Sequence, residues 1–511
     1  MANSNRRARR GFLVCAVLAM AATSRIPAQI ALDSIQVSLV PAGFPVGFDL
    51  LTRGDRQYLA YYDAGHNLVV ASRKIDSAGF RRQILPTQVG WDSHNFVTMA
   101  LDAAGHLHVA GNMHTSAMTY FRTTVAGDIG SLVKVPNLVS AAKENSATYP
   151  EFITTPAGVL NFFYRQGSSG NGVWYADAYD SRPTARTWSA LYAGQPLFGS
   201  EGSVNAYFNG PVLGPDGRYH FVFMWRDTPD ASTCHDIGYL RSQGPDLNAW
   251  ENAAGEIASL PVVQSSIGIG VDPVPVKQGL INMSQTVGFD SQGRAVVSYH
   301  KYDGTGVSQV YNARWSPADK RWLVAQASAW KTYKWDFGGG GSIPSEISIG
   351  PVAVRNGKLV QSWHHAKFGS GEWVLDEATL KPTGAQPPPP PAPASNPSFA
   401  AAADADPLSH TAWEQGYGPD PTARYALHWR TLAANRDAKP DSVPPDSPLM
   451  LVKFRVTASG LVPARAAPGS RVPPARRRSG TLTFARETRE GGDWVDGAGR
   501  VSPASGRNDA R

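Results

Sequence analysis

The chain repeats one short pattern, in which a tight polar turn is followed by an apolar or aromatic run that ends in a polar residue. Asp-Gly, Asn-Gly and Ala-Gly pairs form the turns and supply the positive φ that a tight β-turn needs. The runs after the turns have the composition of β-strands: HLHVAGNMH, VLNFFYR, RYHFVFMWR, RAVVSYHK and KLVQSWHHAK. Long helical periodicity is missing from the sequence. The pattern therefore predicts an all-β fold.

The turns recur at intervals that are typical of a repeat fold. Their glycines are Gly105, Gly158, Gly217, Gly293 and Gly357, so neighbouring turns lie roughly 50–80 residues apart. That interval is longer than a four-stranded blade needs and fits blades with long loops on one face. With roughly 60 residues per blade, we expect residues 31–456 to form a single-domain, seven-bladed β-propeller. The alternative is a set of unrelated hairpins in a β-sandwich.

Three segments differ in composition from this repeat region. Residues 1–30 combine a basic stretch, an apolar run and a small-residue exit, which predicts an export signal and a periplasmic or secreted location. The Arg9–Arg10 pair leaves a twin-arginine signal and an ordinary secretory signal both open. Residues 385–397 are expected to form a proline-rich loop, and residues 457–511, rich in Arg, Pro and Gly, a disordered tail.

The distribution of charge limits the classes of partner. The formal net charge is +7, but the surplus arginines are concentrated in residues 1–30 and in the tail. The residues between them are slightly acidic overall, which argues against a nucleic-acid partner. No segment is apolar over enough residues for stable membrane insertion. We expect a monomer without an organic cofactor, in which local arginines can still bind an acidic ligand.

Polar residues at the strand ends are the first candidates for chemistry. In a propeller, corresponding strand ends meet at one face, so residues far apart in sequence converge there. The residues at or near these ends are His114, Arg165, Arg226, His300, Lys301, His364 and His365. Three residues of the predicted loops join them: His94, Tyr149 and Tyr207.

The residue types of this set suit proton abstraction next to a carboxylate. Arginine neutralises the acid group, while histidine and tyrosine accept and return protons. A single histidine or tyrosine in a β protein is more often structural, so the expected convergence carries the argument. A pair of Asp or Glu residues, which a glycosidase normally needs, is not apparent at the strand ends.

Cys234 is the one cysteine outside the predicted export signal, because Cys15 lies within it. The mature chain can therefore form no internal disulfide. Four neighbouring or converging residues can supply soft and imidazole ligands to a tetrahedral zinc ion: His220, Cys234, His235 and His365, or His364 in the last position. Four protein ligands would make such an ion structural. The alternative is a buried thiol beside a surface histidine.

Several segments resemble the BNR-repeat polysaccharide lyases of the ulvan lyase type, a family with a seven-bladed β-propeller fold. The resemblance covers residues 45–456 and rests on WDSHNF, HVAGNMH, ATYPEF, FFYRQGSSGNG, SVNAYFNG, SYHKYDG and LHWRTLAANRD. It implies β-elimination at a uronate of an acidic polysaccharide. In that reaction the C5 proton is removed, the 4-O-glycosidic bond breaks and an unsaturated uronate is formed.

The resemblance also implies roles for individual residues. The family's catalytic positions fall on His94, His114, Tyr149 and Arg165, of which Arg165 would neutralise the substrate carboxylate. The expected substrate-binding residues are Tyr207, Arg226, His300 and Lys301. The implied structural Zn²⁺ would be held by His220, Cys234, His235 and His365, with His364 competing for the last place. Tyr149 and His94 are both candidate bases at this point.

Two other functions stay open from the sequence. A sialidase-like glycoside hydrolase would need an arginine triad and complete Ser-x-Asp-x-Gly-x-x-Trp boxes, which these turns lack. A glycan-binding propeller without catalysis would use its aromatic residues to stack on sugars, and His94 and Tyr149 would then be dispensable.

Overall fold

The computed structural model of the chain describes residues 33–75, 77–386, 409–457 and 460–462. The predicted export signal, most of the proline-rich loop and nearly all of the predicted tail lie outside the described residues. No helix in the described part of the chain combines the length and apolar character needed to cross a membrane.

Strands make up almost all of the regular structure in the described residues, which confirms the all-β prediction. The first strands in chain order are β1 (Asp33–Val40), β2 (Asp49–Arg53), β3 (Arg56–Tyr62), β4 (Asn67–Lys74), β5 (Arg81–Gln88), β6 (Val97–Leu101), β7 (Leu107–Gly111), β8 (His114–Ser116), β9 (Tyr120–Thr123), β10 (Leu132–Lys134), β11 (Ala147–Thr154), β12 (Leu160–Ser168), β13 (Asn171–Asp180), β14 (Thr187–Ala190), β15 (Asn205–Leu213) and β16 (Tyr219–Arg226). The remaining strands are β17 (Cys234–Ser242), β18 (Trp250–Glu251), β19 (Gly270–Asp272), β20 (Thr286–Phe289), β21 (Ala295–Tyr302), β22 (Ser308–Ser316), β23 (Arg321–Gln326), β24 (Ile347–Ile349), β25 (Ala353–Arg355), β26 (Lys358–His365), β27 (Gly369–Leu375), β28 (Ser409–Trp413), β29 (Gln415–Tyr417), β30 (Ala423–Arg430), β31 (Ser447–Thr457) and β32 (Gly460–Val462). The described helical elements are α1 (Ala141–Glu144) and the 3₁₀ turns Ile129–Ser131 and Ala231–Thr233.

Within the described residues the strands pair into seven sheets of four or five strands. Most sheets are built from consecutive strands in up-and-down order, such as β14-β13-β12-β11 and β20-β21-β22-β23. The pairing is antiparallel throughout these sheets except between β2 and β29. One sheet joins the two ends of the described chain, because β1 pairs with β31.

The predicted turns lie between paired strands, and local hydrogen bonds fix their shape. Gly105, Gly158 and Gly293 have φ values of 84°, 81° and 74°, which glycine adopts without steric cost. Asp102 Oδ1 accepts a hydrogen bond from the His106 amide at 2.8 Å, and Asp290 Oδ1 accepts one from the Arg294 amide at 2.9 Å. An aspartate that accepts from a turn amide stabilises the turn. The turn chemistry therefore sets where each hairpin begins.

The central strands are buried on both faces, which explains their continuous apolar character. Every residue of β16 is buried, including Arg226 at its end. In the same way Phe162, Phe163 and Tyr164 are buried along β12 and lead to the fully buried Arg165. Because these strands are buried along their length, the charged residues at their ends, Arg165 and Arg226, are buried as well.

Strand register brings the predicted site residues to matching ends of two sheets. Thr148 of β11 lies opposite Arg165 of β12, so Tyr149 and Arg165 share one end of their sheet. Asn205 of β15 lies opposite Arg226 of β16, which puts Tyr207 and Arg226 at one end of the next sheet.

Candidate active site

Arg165 is the centre of the candidate site and is fully buried. Its guanidinium carbon lies 4.9 Å from the ring centre of Tyr149 and 5.7 Å from that of Tyr207. Nη1 donates to the Tyr207 hydroxyl at 2.9 Å, and Nη2 donates to the Thr148 hydroxyl at 3.1 Å. Both acceptors are neutral groups, and a guanidinium stays protonated in proteins. A buried cation with such partners favours the binding of an anionic group.

Tyr149 is held in a left-handed backbone conformation beside Arg165. Its φ is 56°, which is uncommon for a residue other than glycine, and it lies at an irregularity in the pairing of β11 with β12. Its ring stacks on Trp174, with 5.9 Å between ring centres. Burial, followed by the neighbouring Tyr207, raises the pKa of Tyr149 above its usual value, although Arg165 acts in the opposite direction. The phenol is therefore protonated near neutral pH.

Asp92 connects the two histidines that the resemblance marks as catalytic. His94 Nδ1 donates to Asp92 Oδ1 at 2.8 Å, and His114 Nδ1 donates to Asp92 Oδ2 at 2.5 Å. The two imidazole rings are stacked, with 4.3 Å between their centres. The His94 ring centre lies 5.9 Å from that of Tyr149, so the histidine pair and the Arg165 cluster are adjacent.

His94 also interacts with a second carboxylate, that of Asp437. Asp437 Oδ2 lies 3.3 Å from His94 Nδ1, and the Ser342 hydroxyl donates to Asp437 Oδ1 at 2.5 Å. Burial disfavours a charged His94, but the hydrogen bonds from His94 to Asp437 and Asp92 outweigh it and raise the pKa of His94 to about 9. His94 is therefore a cation at neutral pH.

Sequence reasoning did not single out Asp92, Ser342 or Asp437. Asp92 and Asp437 lie inside the quoted segments WDSHNF and LHWRTLAANRD, so a search of those segments for acidic partners of His94 would have found them. Ser342 carries no such signal, because it follows a run of four glycines in a loop between β23 and β24.

The same cluster is the place where the described residues could hold a metal ion. Asp92, His94, His114 and Asp437 offer four ligand atoms that all lie within 4.8 Å of one another. The Nδ1 atoms of both histidines already donate hydrogen bonds to Asp92, so the cluster is also satisfied as a hydrogen-bond network.

The four predicted substrate-binding residues fall into two groups. Tyr207 and Arg226 join the Arg165 cluster, with the Arg226 guanidinium 5.5 Å from the Tyr207 ring centre. His300 and Lys301 lie on β21 in another sheet. His300 is buried against Trp335, and burial lowers its pKa to about 4, which makes it neutral. Lys301 pairs with Asp272 at 2.5 Å.

The structure does not bring the four predicted zinc ligands together. On the paired strands β16 and β17, Cys234 lies opposite Arg226, whereas His220 lies opposite Arg241 at the other end. Six residues of strand separate these two levels, which corresponds to about 20 Å. His365 lies on β26 of another sheet, and its ring contacts Trp330.

The surroundings of the predicted ligands also differ from those of a zinc site. Both ring nitrogens of His220 have partners, the Tyr239 hydroxyl at 2.6 Å and Asp216 at 3.1 Å. His235 interacts with the carboxylates of Asp227 and Asp236, and the competing residue His364 bonds Ser370. The Cys234 sulfur lies 3.7 Å from Asn282 Oδ1. These residues do not fit one shared zinc ion.

We expect a Cys234→Ser variant to bind as much zinc as the wild-type protein. Cys234 is fully buried, and its sulfur lies 3.7 Å from Asn282 Oδ1 rather than near a histidine nitrogen. Elemental analysis of both proteins after purification in zinc-containing buffer measures this. Loss of one zinc ion per chain in the variant would show that Cys234 is a ligand after all.

Comparison with known proteins finds one matching family model and similar ulvan lyases. A family model described as "BNR repeat-containing family member" matches residues 56–330, a little over half of the chain. The short isoform of ulvan lyase from Alteromonas sp. (strain LOR) is 26% identical over 148 residues, which are 27% of this chain and 27% of that protein. The long isoform of ulvan lyase from Pseudoalteromonas sp. (strain PLSV) is 29% identical over 124 residues, 23% of this chain and 12% of that protein.

A solved structure is similar over a longer stretch. The crystal structure of polysaccharide lyase Uly1 has a TM-score of 0.53 and 13% sequence identity, and the alignment covers 83% of this chain and 99% of that chain. At this identity the similarity bears on the fold. The sequence matches span about a quarter or less of the length of the curated relatives. Together the comparisons confirm the resemblance to ulvan lyases that the sequence motifs indicated.

Proposed function

This chain belongs to the BNR repeat-containing family, and we propose that it is a polysaccharide lyase that cleaves a uronate-containing, ulvan-like polysaccharide by β-elimination. The observation that carries the proposal is the buried Arg165, which lies between Tyr149 and Tyr207. A fixed cation in a partly desolvated site stabilises negative charge far more than it would in water. A uronate carboxylate is the group that such a cation would bind.

We further propose that the seven sheets are the blades of a β-propeller. The up-and-down strand order within the sheets supports this arrangement. So does the pairing of β1 with β31, which joins the first described strand to one of the last, as ring closure requires. In a propeller the site residues of neighbouring blades would face one cleft. An acidic polysaccharide outside the cell also agrees with the export signal expected in residues 1–30.

The first step of the proposed reaction is removal of the C5 proton of the uronate. A free carboxylate opposes this step because negative charge builds up beside it. Arg165 and the protonated His94 would offset that charge. His94 keeps its proton because Asp92 and Asp437 hold its pKa at about 9.

The hydrogen bonds of the histidines and the raised pKa of Tyr149 favour different roles for His94, His114 and Tyr149. His114 Nδ1 is hydrogen-bonded to Asp92, so its Nε2 is the ring nitrogen that would accept the C5 proton. The electrons of the C5–H bond then form the C4–C5 double bond as the C4–O4 bond breaks. Tyr149, which is protonated, would donate its proton to the departing O4. Positioned proton transfer of this kind typically contributes 10²–10⁴-fold.

An Asp437→Asn variant tests the proposed charge on His94. We expect the substitution to lower the pKa of His94 from about 9 towards its usual value of 6.5, because one of the two carboxylates that favour the cation is removed. The proposed reaction needs His94 protonated, so the rate should fall as pH rises through this pKa, and at a lower pH in the variant. NMR titration of the His94 ring and the pH–rate profile both measure the shift.

The matched control for this experiment is Asp441→Asn, an exposed aspartate in the same loop. It removes the same charge without a contact to His94 and should leave both profiles at their wild-type positions. An unchanged His94 titration in Asp437→Asn would contradict the proposed role of Asp437.

The function itself is tested with a panel of polymers. The wild-type protein is incubated with ulvan, with other uronate polymers and with neutral polysaccharides, and the ultraviolet absorbance of the 4,5-unsaturated uronate is followed. We expect a rise with ulvan or another uronate polymer and none with neutral ones. New reducing ends without this absorbance would indicate a hydrolase, and binding without either product would indicate a glycan-binding protein.

A further inference from the structure

A groove of about 700 Å³ lies between the outer hairpin of one sheet and a loop of its neighbour. The hairpin joins β22 to β23, and the loop follows β18. Its lining includes Trp315, Lys320, Arg321, Trp322, Asn252 and Glu256.

The groove lies far from Arg165 and its neighbours. The Trp322 ring is 5.1 Å from the ring of Tyr239, and the Tyr239 hydroxyl is 2.6 Å from His220 Nδ1. His220 and Arg226 are six residues apart on β16, about 20 Å along an extended strand. The groove is therefore near the end of β16 opposite to Arg226, and it contributes no group to the reacting sugar.

The exposed groups of the groove combine aromatic surface with positive charge. Trp315 and Trp322 are both partly exposed, and their rings meet at 68° with 6.0 Å between centres. Lys320 and Arg321 are exposed at the turn between them. The acidic group of the groove, Glu256, accepts a hydrogen bond from Asn252 Nδ2 at 2.8 Å.

The loop on the other side adds apolar surface that is open to solvent. Ile257 and Ile267 stand next in sequence to the groove residues Glu256 and Gly268, and they are 73% and 92% exposed. Apolar sugar faces pack well on such surface and on indole rings, and carboxylate or sulfate groups pair with Lys and Arg. The combination is complementary to an anionic glycan.

We propose that this groove is a second binding site for an acidic polysaccharide chain. The identity of the polymer rests on the proposed function. A long chain that occupies both sites is bound more tightly than either site alone allows, because the second contact is made at a high effective concentration. An oligosaccharide too short to reach both sites gains nothing from the groove.

The test compares polymer and oligosaccharide kinetics in two variants, Trp315→Ala and the double charge reversal Lys320→Glu/Arg321→Glu. Both charges are exposed, so the second variant should fold even if the first is destabilised. We expect the apparent KM for ulvan to rise on the order of tenfold in each, with kcat unchanged and with the KM for short ulvan oligosaccharides unchanged. An unchanged KM for the polymer in both variants would overturn the proposal.

The matched control is Arg53→Glu/Arg56→Glu, which reverses two exposed charges at a hairpin of another sheet and should behave as wild type. Electrophoresis in gels that contain ulvan or dextran separates this proposal from the proposed function. If the wild-type protein cleaves nothing, retardation by ulvan that is lost in the groove variants still supports the groove. Retardation is measured against a gel without polymer, because charge reversal itself changes mobility. If ulvan retards the wild type and the groove variants equally, or if dextran retards the wild type as strongly as ulvan does, the proposal is refuted.

Discussion

Replacing Arg165 with alanine is expected to lower kcat on the uronate polymer by about 10²–10³-fold, the usual effect of removing one preorganised group that stabilises developing charge. The guanidinium lies against the rings of Tyr149 and Tyr207 and donates to two hydroxyls, so the substitution removes the cation fixed between these two rings. Arg165→Lys should keep part of the activity, because it keeps the charge but loses the paired donors. Initial rates at saturating polymer measure both variants.

A matched control separates catalysis from folding. Arg122 also donates to a tyrosine hydroxyl, that of Tyr179 at 2.6 Å, but in a different pair of sheets. Arg122→Ala should therefore destabilise the fold without a comparable loss of kcat. Thermal unfolding of all three variants shows which loss comes from instability. If Arg165→Ala stays folded and active, the carboxylate is not neutralised at this position.

The substitution Tyr149→Phe is expected to have the second large effect, a loss of about 10²–10⁴-fold in kcat. The substitution removes only the hydroxyl, so the ring still stacks on Trp174 and Phe96 and the fold should be retained. The loss should be in kcat rather than KM, because the proton is transferred only as the glycosidic bond breaks.

The control for this substitution is Tyr299→Phe. Tyr299 is also fully buried, but its hydroxyl bonds Asp272 on another sheet. It should cost stability and leave kcat near the wild-type value. A fully active Tyr149→Phe variant would exclude Tyr149 as the proton donor.

The sequence predicted those parts of the molecule that depend on local chemistry. Turn glycines such as Gly105 and Gly293 lie where the pattern placed them, because positive φ and aspartate side chains define a turn within a few residues. Arg165 could be predicted because it stands at the end of a long apolar run, and the strand formed by that run is buried as far as Arg165. Tyr149 and Tyr207 were expected on loops, but they lie on β11 and β15, and the register of these strands brings them beside Arg165.

Contacts between distant segments could not be predicted in this way. Asp437 and His94 are more than 300 residues apart in sequence, and the pairing of β1 with β31 joins these two parts of the described chain, which no local pattern encodes. The zinc set fails for a related reason. Cys234 and His235 are neighbours on one strand and so project to opposite faces, while His220 lies at the far end of the paired strand. Spacing in sequence does not reveal that register.

The measurement that tests β-elimination most directly is the mass of the products formed in water labelled with oxygen-18. Elimination breaks the C4–O4 bond without adding water, so the account predicts an unsaturated uronate at the new non-reducing end and no heavy oxygen in either product beyond exchange at the reducing end. A saturated uronate at the new non-reducing end, with the mass of one water added per bond broken, would show hydrolysis and contradict the proposed roles of Arg165, His114 and Tyr149.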